Sequence, residues 1–199
     1  MKELKVRITF TEEVLGTANS DKDIHEEYIA SKAPDAPSRE EEVAALGVDE
    51  VVAKGKTIFP KDEEGNPFLW DYQIKGFFKS AAQAGSYIGG EYKLTNYKKK
   101  IDLLVFVNER KVRLAIPEGK EMGDCQRPLR AQTMQGERVA LANSETCPEG
   151  TTAEFTVRVL EDGMMKYVHQ WLDYGALNGF GAWRNSSKGR FEWHEITVK

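Results

Sequence analysis

Apolar and polar side chains alternate in two segments of the chain, which is the pattern of a strand with one buried face. Because successive side chains of a strand point to opposite sides, each segment predicts a half-buried strand. A last strand is predicted over 190–198. The apolar members of the two alternating segments are Leu4, Val6, Ile8 and Phe10 in the first and Ala153, Phe155, Val157 and Val159 in the second.

Two other segments repeat their apolar residues every three or four positions, the spacing of a helix with one buried face. The first predicts a helix over 72–84, and the second predicts a helix over 164–174. The apolar stripes are Ile74, Phe77, Phe78 and Ala81 in the first helix and Met164, Val168, Trp171 and Leu172 in the second.

The connections between these elements are predicted from turn residues and polar composition. Residues 57–60 and 68–70 flank a spacer rich in turn residues, so we expect them to form a hairpin. A second hairpin is expected between 103–107 and 112–116. Residues 118–140 are polar and irregular, which predicts a long loop, and long loops of compact domains are often functional.

Residues 11–56 are predicted to form a helical insertion after the first strand. Helical periodicity covers 21–32, and Ser38 with Glu41 resembles the capping box that starts a further helix. Without this insertion the order is strand, helix, two hairpin strands, strand, helix, strand. That order is the split βαβ pattern of a ferredoxin-like, RRM-like α+β fold, and we expect one domain over residues 1–199.

The composition, 40% hydrophobic and 30% charged in 199 residues, is typical of a globular protein. The chain has no apolar run near the roughly 18 residues of a membrane span and no signal-peptide core at its start. We therefore expect a cytoplasmic protein without a membrane partner. Cys125 and Cys147 match no metal-ligand spacing, so no metal and no cofactor are expected.

The charge is distributed unevenly. The net charge is −4, but residues 11–66 carry 15 acidic against 6 basic side chains, a local balance of −9 that leaves about +5 for the remainder. Such asymmetry predicts an acidic lobe beside a mildly basic surface, and the acidic insertion is a candidate protein interface. Solvated helix faces are the alternative explanation of the acidic residues.

Segment 179–191, GFGAWRNSSKGRF, combines residue types that suit a ligand carrying phosphates and bases. Glycine permits close approach of a ligand to the backbone, cations neutralise phosphate, and a tryptophan ring can stack on a base. The glycine spacing matches neither a Rossmann fingerprint nor a Walker A loop, so a tight solvated turn, with the tryptophan packed inward, is the alternative. The candidate binding residues here are Gly179, Gly181, Trp183, Arg184, Lys188, Gly189 and Arg190.

Two further groups of cations are candidate nucleic-acid contacts. Lys75 and Lys79 are one turn apart near the start of a predicted helix, where phosphate can bind. Arg127, Arg130 and Arg138 lie in the polar segment, beside amide side chains. Guanidinium groups bind phosphate in a bidentate manner, and amides can contact base edges. Solvated surface lysines are the alternative for the first group.

Three separated segments resemble motifs of the RAMP superfamily, the RNA-binding subunits of CRISPR effector complexes. DYQIKGFFKSA at 71–81 is similar to the start of the first helix of that family. The segment from RAQT at 130–133 through NSETCPEGTTAEF at 143–155 is similar to the run that leads into its central strand. The third segment, 179–191, resembles its glycine-rich signature. The similarity is greatest to backbone subunits of type III complexes. The chain also resembles small proteins encoded by phages and prophages of Gram-positive bacteria.

The resemblance implies a ferredoxin-like RAMP fold and a non-catalytic protein that binds single-stranded RNA or a related nucleotide ligand. One alternative is a phage-encoded protein that blocks a host defence complex or sequesters a nucleotide signal. A second alternative is a ribonuclease, for which the family pattern offers Asp21, Asp23 and His25, although His25 has no evident general-acid partner. The chain is more acidic than backbone subunits usually are and lacks their longer thumb-like insertion. The oligomeric state stays open.

Overall fold

The computed structural model describes residues 1–19, 56–133 and 136–196. The chain divides into two compact units. Whether the two units form the single domain expected over 1–199 is not tested by this division, and that expectation stays a prediction. The first unit comprises Met1–Val14, Pro60–Glu121 and Cys147–Lys199, and the second comprises Leu15–Phe59 and Met122–Thr146.

The described residues form short and long strands and three α-helices. In chain order the strands are β1 (Lys2–Phe10), β2 (Val14–Leu15), β3 (Ala18–Asn19), β4 (Thr57–Ile58), β5 (Phe68–Trp70), β6 (Val105–Val107), β7 (Lys111–Ala115), β8 (Gly123–Thr133), β9 (Gly136–Cys147), β10 (Thr152–Val159) and β11 (Phe191–Glu195). The helices are α1 (Asp71–Ile88), α2 (Tyr97–Leu104) and α3 (Met165–Asn178).

In the described part of the chain, the first unit contains a six-stranded sheet with the order β11-β1-β10-β7-β5, in which β6 also pairs with β10. The pairings are antiparallel. In chain order the four main strands are β1, the interrupted strand β6 and β7, β10, and β11. Helix α1 lies between the first and the second, and α3 lies between the third and the fourth. In the sheet these strands lie in the order fourth, first, third, second. This arrangement is the split βαβ topology. The predicted α+β, ferredoxin-like fold is confirmed.

The hydrophobic core lies where the two predicted helices pack on one face of this sheet. The apolar residues of both alternating strands and both helical stripes are at most 6% exposed. Phe78 of α1 lies 5.5 Å from Trp171 of α3, and Phe77 lies 5.3 Å from Phe191 of β11, between ring centroids. Aromatic pairs at such distances add about 1 kcal/mol each beyond their burial. The two predicted strands and both helices are therefore confirmed with their buried faces.

The hairpin predicted between 103–107 and 112–116 is wrong. Both β6 and β7 pair antiparallel with the same strand, β10, with Val107 opposite Val157 and Leu114 opposite Ala153. Seven residue steps on one side therefore face four on the other, so three extra residues bulge out of one interrupted strand. The backbone N–H of Asn108 still donates to the carbonyl of Thr156 at 3.0 Å. The turn-forming residues at 108–110 make a bulge rather than a reversal of the chain.

The hairpin predicted between 57–60 and 68–70 is confirmed only beside its turn, where the backbone N–H of Phe68 donates to the Pro60 carbonyl at 3.0 Å. Lys61 and Pro67 form an antiparallel bridge that closes the turn. The flanking strands, however, pair with different partners, β4 with β3 and β9, and β5 with β7. Turn residues predict where the chain reverses, but they do not determine which sheet each arm joins.

The second unit contains a sheet with the order β2-β9-β4-β3, in which β8 pairs with β9 along its whole length. The prediction of a long loop over 118–140 is therefore wrong, because from Gly123 onward most of this segment belongs to an antiparallel ribbon of β8 and β9. The segment is rich in polar residues, and sequence analysis did not recognise in it the apolar alternation that predicts a strand.

Two segments remain, the predicted helical insertion and a helix that the sequence did not predict. Most of the predicted helical insertion, residues 20–55, lies outside the described residues, and its described beginning contains the short strands β2 and β3. Helix α2 was not predicted, because its first turn contains three consecutive lysines, and its buried contact comes from Ile101. In the parts of the chain that the structure describes, no helix is both long and apolar enough to span a membrane.

Candidate nucleic-acid interface

The glycine-rich segment is a tight loop whose two arms pack against each other. The Phe180 N–H donates to the Gly189 carbonyl at 2.7 Å. Gly179 and Gly189 have φ angles of 68° and 71°. A Cβ atom on Gly189 would lie 1.9 Å from the Phe180 carbonyl oxygen, and one on Gly179 would lie 2.5 Å from that of Lys188. These two glycines therefore serve the approach of the chain to itself, as the tight-turn alternative predicts.

The tip of the loop is a single 3₁₀ turn over Arg184–Ser186, flanked by Trp183 and Ser187 with positive φ angles of 56° and 66°. Such a backbone costs roughly 1–2 kcal/mol per non-glycine residue. The cost is offset where Phe180, only 5% exposed, packs 5.8 Å from Phe77 of α1. Gly181 also has a positive φ of 79°. The loop therefore has a fixed shape, with Trp183 37% exposed near its tip.

The three cations of the loop have different surroundings. Lys188 forms an ion pair with Glu13, with Nζ 2.5 Å from the carboxylate. Arg184 instead donates from Nη1 to the neutral hydroxyl of Ser80 at 3.1 Å. Within the described residues neither Arg184 nor Arg190 has a carboxylate at ion-pair distance, and the buried Nε of Arg190 has no hydrogen-bond acceptor there. The uncompensated positive charge of the loop is therefore carried by its arginines.

The two lysines of α1 both interact with helix α2. Lys79 forms an ion pair with Asp102 at 2.7 Å, and Lys75 donates to the Asp102 carbonyl oxygen at 3.2 Å. The Lys75 ammonium also lies 4.9 Å from the centre of the Phe106 ring. Burial lowers the pKa of Lys75, and the nearby Asp102 carboxylate opposes that shift. Both lysines thus help to hold α1 against α2, whether or not they also meet a ligand.

The structure brings part of the predicted site together. Ser80 directly follows Lys79 in α1, so the contact between Arg184 and Ser80 places the tip of the loop against that helix. Residues far apart in sequence therefore meet on the first unit, and we call this region the loop–helix surface: Ser80 of α1 in contact with Arg184 of the loop, together with Lys79, the residue that precedes Ser80. The predicted arginines of residues 118–140 belong to the second unit.

In the second unit, Arg127 lies on β8 and donates from Nη1 to the hydroxyl of Ser144 on β9 at 3.3 Å. Ser144 is 1% exposed and its Oγ lies 2.7 Å from the Thr57 Oγ1. For the other two arginines the backbone position is described, with Arg130 opposite Val139 and Arg138 opposite Ala131. The three arginines therefore lie on a β-ribbon rather than in the predicted loop.

The candidate nuclease residues Asp21, Asp23 and His25 lie outside the described residues. In the described part of the chain, His169 lies on α3 with its ring 5.4 Å from that of Trp193, and His194 is exposed on β11. No group of three or more His, Cys, Asp or Glu side chains there is arranged to hold a metal ion.

The face of the sheet opposite the helices carries ion pairs. Arg158 lies 2.5 Å from Glu3 across β10 and β1, and Arg7 pairs with Glu154 four residues further along β1. Strands β1 and β10, both described in full, have no aromatic residue at their outward positions. An RRM binds RNA by stacking bases on aromatic residues of its central strands. That mode of binding is therefore excluded on these two strands, despite the shared topology.

Sequence analysis missed an exposed aromatic cluster at the junction of β5 and α1. The rings of Trp70 and Tyr72 lie 6.3 Å apart with 14° between their planes, and the Arg110 guanidinium lies 5.2 Å and 5.9 Å from their centres. We call these three residues the aromatic platform. Trp70 and Tyr72 flank Asp71 in the sequence, so their closeness could have been predicted. Arg110 lies in the bulge between β6 and β7, and the sequence did not predict that bulge.

Comparison with known proteins shows similarity in structure only. No protein-family model matches the sequence, and no curated protein matches it. A cryo-electron microscopy structure of the type III-B Cmr-beta complex bound to cognate target RNA contains a similar chain, with a TM-score of 0.59 and 13% sequence identity. The match covers 99% of this protein but 61% of that chain. A chain of a type IV-B CRISPR complex matches with a TM-score of 0.48 and 11% identity, over 99% of this protein and 91% of that chain.

These comparisons concern the fold. The similarity to the Cmr-beta chain, with a TM-score of 0.59, extends over 99% of this protein. The protein therefore has a ferredoxin-like fold that is similar to the fold of a chain of the type III-B Cmr-beta complex, at 13% sequence identity.

Proposed function

We propose that this protein binds single-stranded RNA as a non-catalytic, RAMP-like protein. The observation that carries the proposal is the loop–helix surface, where Arg184 contacts a neutral hydroxyl and has no carboxylate partner among the described residues. An arginine in that position has a positive charge and most of its N–H donors available for phosphate. The neighbouring Lys79 adds a second cation, partly neutralised by Asp102.

The similarity in fold supports the same proposal. The Cmr-beta chain belongs to a complex that is bound to target RNA. This protein spans 61% of that chain, so assembly into a comparable complex is a further hypothesis. Arg127, Arg130 and Arg138 of the β-ribbon, and Trp183 at the loop tip, are additional proposed contacts.

The proposal does not include a nuclease step, because the residues that would perform it lie outside the described part of the chain. The same holds for the acidic segment on which the alternative of a phage-encoded blocking protein depends. Both alternatives, and the proposed phage origin, remain predictions from the sequence.

The test is a titration of labelled single-stranded RNA with wild type, Arg184→Ala and Arg158→Ala at several salt concentrations. Both variants lose one positive charge, but Arg158 is paired with Glu3 on the sheet face away from the helices. We expect Arg184→Ala to bind about 10-fold more weakly and to lower the slope of log K against log salt by about 0.7, the value for one contact with a single strand. Arg158→Ala should bind as wild type does.

Equal, salt-insensitive binding by wild type and Arg184→Ala would contradict the proposal, as would the absence of binding by wild type. Intact RNA after incubation with excess protein, with and without Mg²⁺, is expected for a non-catalytic binder.

A further inference from the structure

The aromatic platform of Trp70, Tyr72 and Arg110 is anchored on its inner side. Phe68, 3% exposed, packs edge-on against Trp70 with ring centroids 4.8 Å apart. The backbone N–H of Trp70 donates to the side-chain oxygen Oε1 of Gln73 at 2.8 Å, which fixes the turn from β5 into α1. The two rings are thus held by the sheet and by the helix together, and little ordering is needed before a ligand binds.

The bulge between β6 and β7 brings Arg110 to these rings. The Arg110 carbonyl accepts the Asp71 N–H at 3.2 Å, and its guanidinium pairs with the Asp71 carboxylate. One residue thereby anchors both the backbone and the side chain of Arg110 beside the aromatic rings. The guanidinium has five N–H donors and the carboxylate binds it through Nη1, so donors remain for a second acceptor.

The platform is accessible to solvent. Tyr72 is 57% exposed and the Arg110 side chain is 67% exposed. The Tyr72 side chain therefore contributes little to the stability of the core, since an aromatic side chain stabilises a fold mainly through its buried area. An exposed tyrosine beside a fixed arginine offers a π face together with donors for phosphate or for a base edge.

We infer that the aromatic platform binds a base of single-stranded RNA, with Tyr72 stacking on the base and Arg110 contacting the adjoining phosphate. The inference rests on the proposed RNA-binding function and adds a site to it. Bases stack on aromatic side chains without regard to sequence, because every base has a π face, and arginine adds a cation–π contribution. The first unit then contacts RNA at two places on α1, through bases at its start and through phosphates at the loop–helix surface.

The test compares Tyr72→Ala with Tyr87→Ala on two labelled single strands, an oligouridylate and an abasic oligomer with the same number of phosphates. Tyr87 is the matched control, because it lies near the other end of α1, is 85% exposed and is not part of the platform. Tyr72→Ala should bind the oligouridylate about 10-fold more weakly and the abasic oligomer unchanged, in line with measured losses on removing a stacking ring. Tyr72→Phe should restore most of the affinity, and Tyr87→Ala should match wild type on both strands.

Circular dichroism of each variant will show that the helix is retained. If Tyr72→Ala binds the oligouridylate as tightly as wild type while Arg184→Ala still binds weakly, the platform inference is wrong and the proposed function stands. If wild type binds neither oligomer, the proposed function fails and this inference fails with it. Equal losses for Tyr72→Ala on both oligomers would also overturn the stacking role, because the abasic strand has nothing to stack.

Discussion

The glycine-rich loop and the aromatic platform differ in how their residue types are used. The loop has the composition of a binding site, yet Gly179 and Gly189 are occupied by close packing of its own backbone, and Lys188 is paired with Glu13. The platform has an ordinary composition, yet Tyr72 and Arg110 are fixed and largely exposed.

The difference shows that residue type alone does not make a group available to a ligand. Lys188 and Arg110 both have a carboxylate partner, but the Lys188 side chain is 22% exposed and the Arg110 side chain is 67% exposed. A glycine against a neighbouring carbonyl has no space for a ligand. An aromatic ring on the surface has unused area regardless of its sequence context. In the loop, the residue that resembles the platform in this respect is Arg184, whose contact is with a neutral hydroxyl.

The largest expected effect tests whether the loop glycines are structural. Gly189→Ala places a methyl group 1.9 Å from the Phe180 carbonyl at a φ of 71°, so we expect a loss of about 2–5 kcal/mol in the free energy of unfolding. Gly76→Ala is the matched control, because Gly76 lies on α1 with nothing within 4 Å of the added Cβ. It should stabilise the protein by about 1 kcal/mol. Thermal and urea unfolding measure both, and an unchanged stability of Gly189→Ala would show that the loop is adaptable.

An intermediate effect compares the ion pairs of the two regions. Lys188 and Glu13 have side chains 22% and 32% exposed, whereas Arg110 and Asp71 are 67% and 23% exposed. We expect Glu13→Gln to cost about 1–2 kcal/mol of unfolding free energy, because a half-buried ammonium loses an ion pair with a carboxylate. Asp71→Asn should cost less than about 1 kcal/mol, since solvent screens the more exposed pair.

The variant Glu13→Gln also tests the comparison through RNA binding. Glu13→Gln leaves Lys188 without its carboxylate and should tighten binding by about 3-fold at low salt, an effect that added salt removes. Weaker binding by Glu13→Gln would mean that the ion pair positions Arg184 more than it masks Lys188.

The smallest effect concerns the acidic turn that precedes β5 and the platform. The backbone hydrogen bond from Asn66 is the largest cause that lowers the pKa of Asp62 below its ordinary value of 3.8, and desolvation opposes it. Because the folded pKa is the lower one, the carboxylate stabilises the turn above about pH 4, and this contribution is lost as the pH falls through the folded pKa. An NMR titration of the Asn66 amide should therefore show a midpoint below 3.8. A midpoint at or above the ordinary value would show that the turn does not hold Asp62.

Much of the first unit could be predicted from the sequence. The alternation around Val6 and Val157 and the stripes around Phe78 and Trp171 predicted two central strands and two helices, and all four are present with the expected buried faces. Periodicity succeeds here because burial on one face of a regular element is a local constraint, written into every second or every third to fourth residue.

Other elements were beyond local patterns. The residues at 108–110 have the composition of a hairpin turn but form a bulge, because the flanking segments pair with the same third strand. The ribbon of β8 and β9 is rich in polar residues, and its pairing joins segments that local composition predicted to be a loop. Strand pairing is a long-range property, so turn residues and polarity could not predict either outcome.

For the candidate site, the sequence by itself determined which residue types were present: the glycines, arginines and lysines that suggested phosphate binding, and the segments that resemble the RAMP superfamily. Only the tertiary structure decided which of them have partners. Lys79 and Lys188 meet carboxylates, Arg184 meets a hydroxyl, and Arg110 reaches Tyr72 from 38 positions away in the sequence. The reason is physical: the chemistry of a side chain is intrinsic to its residue, but its charge compensation and exposure depend on neighbours that folding alone brings together.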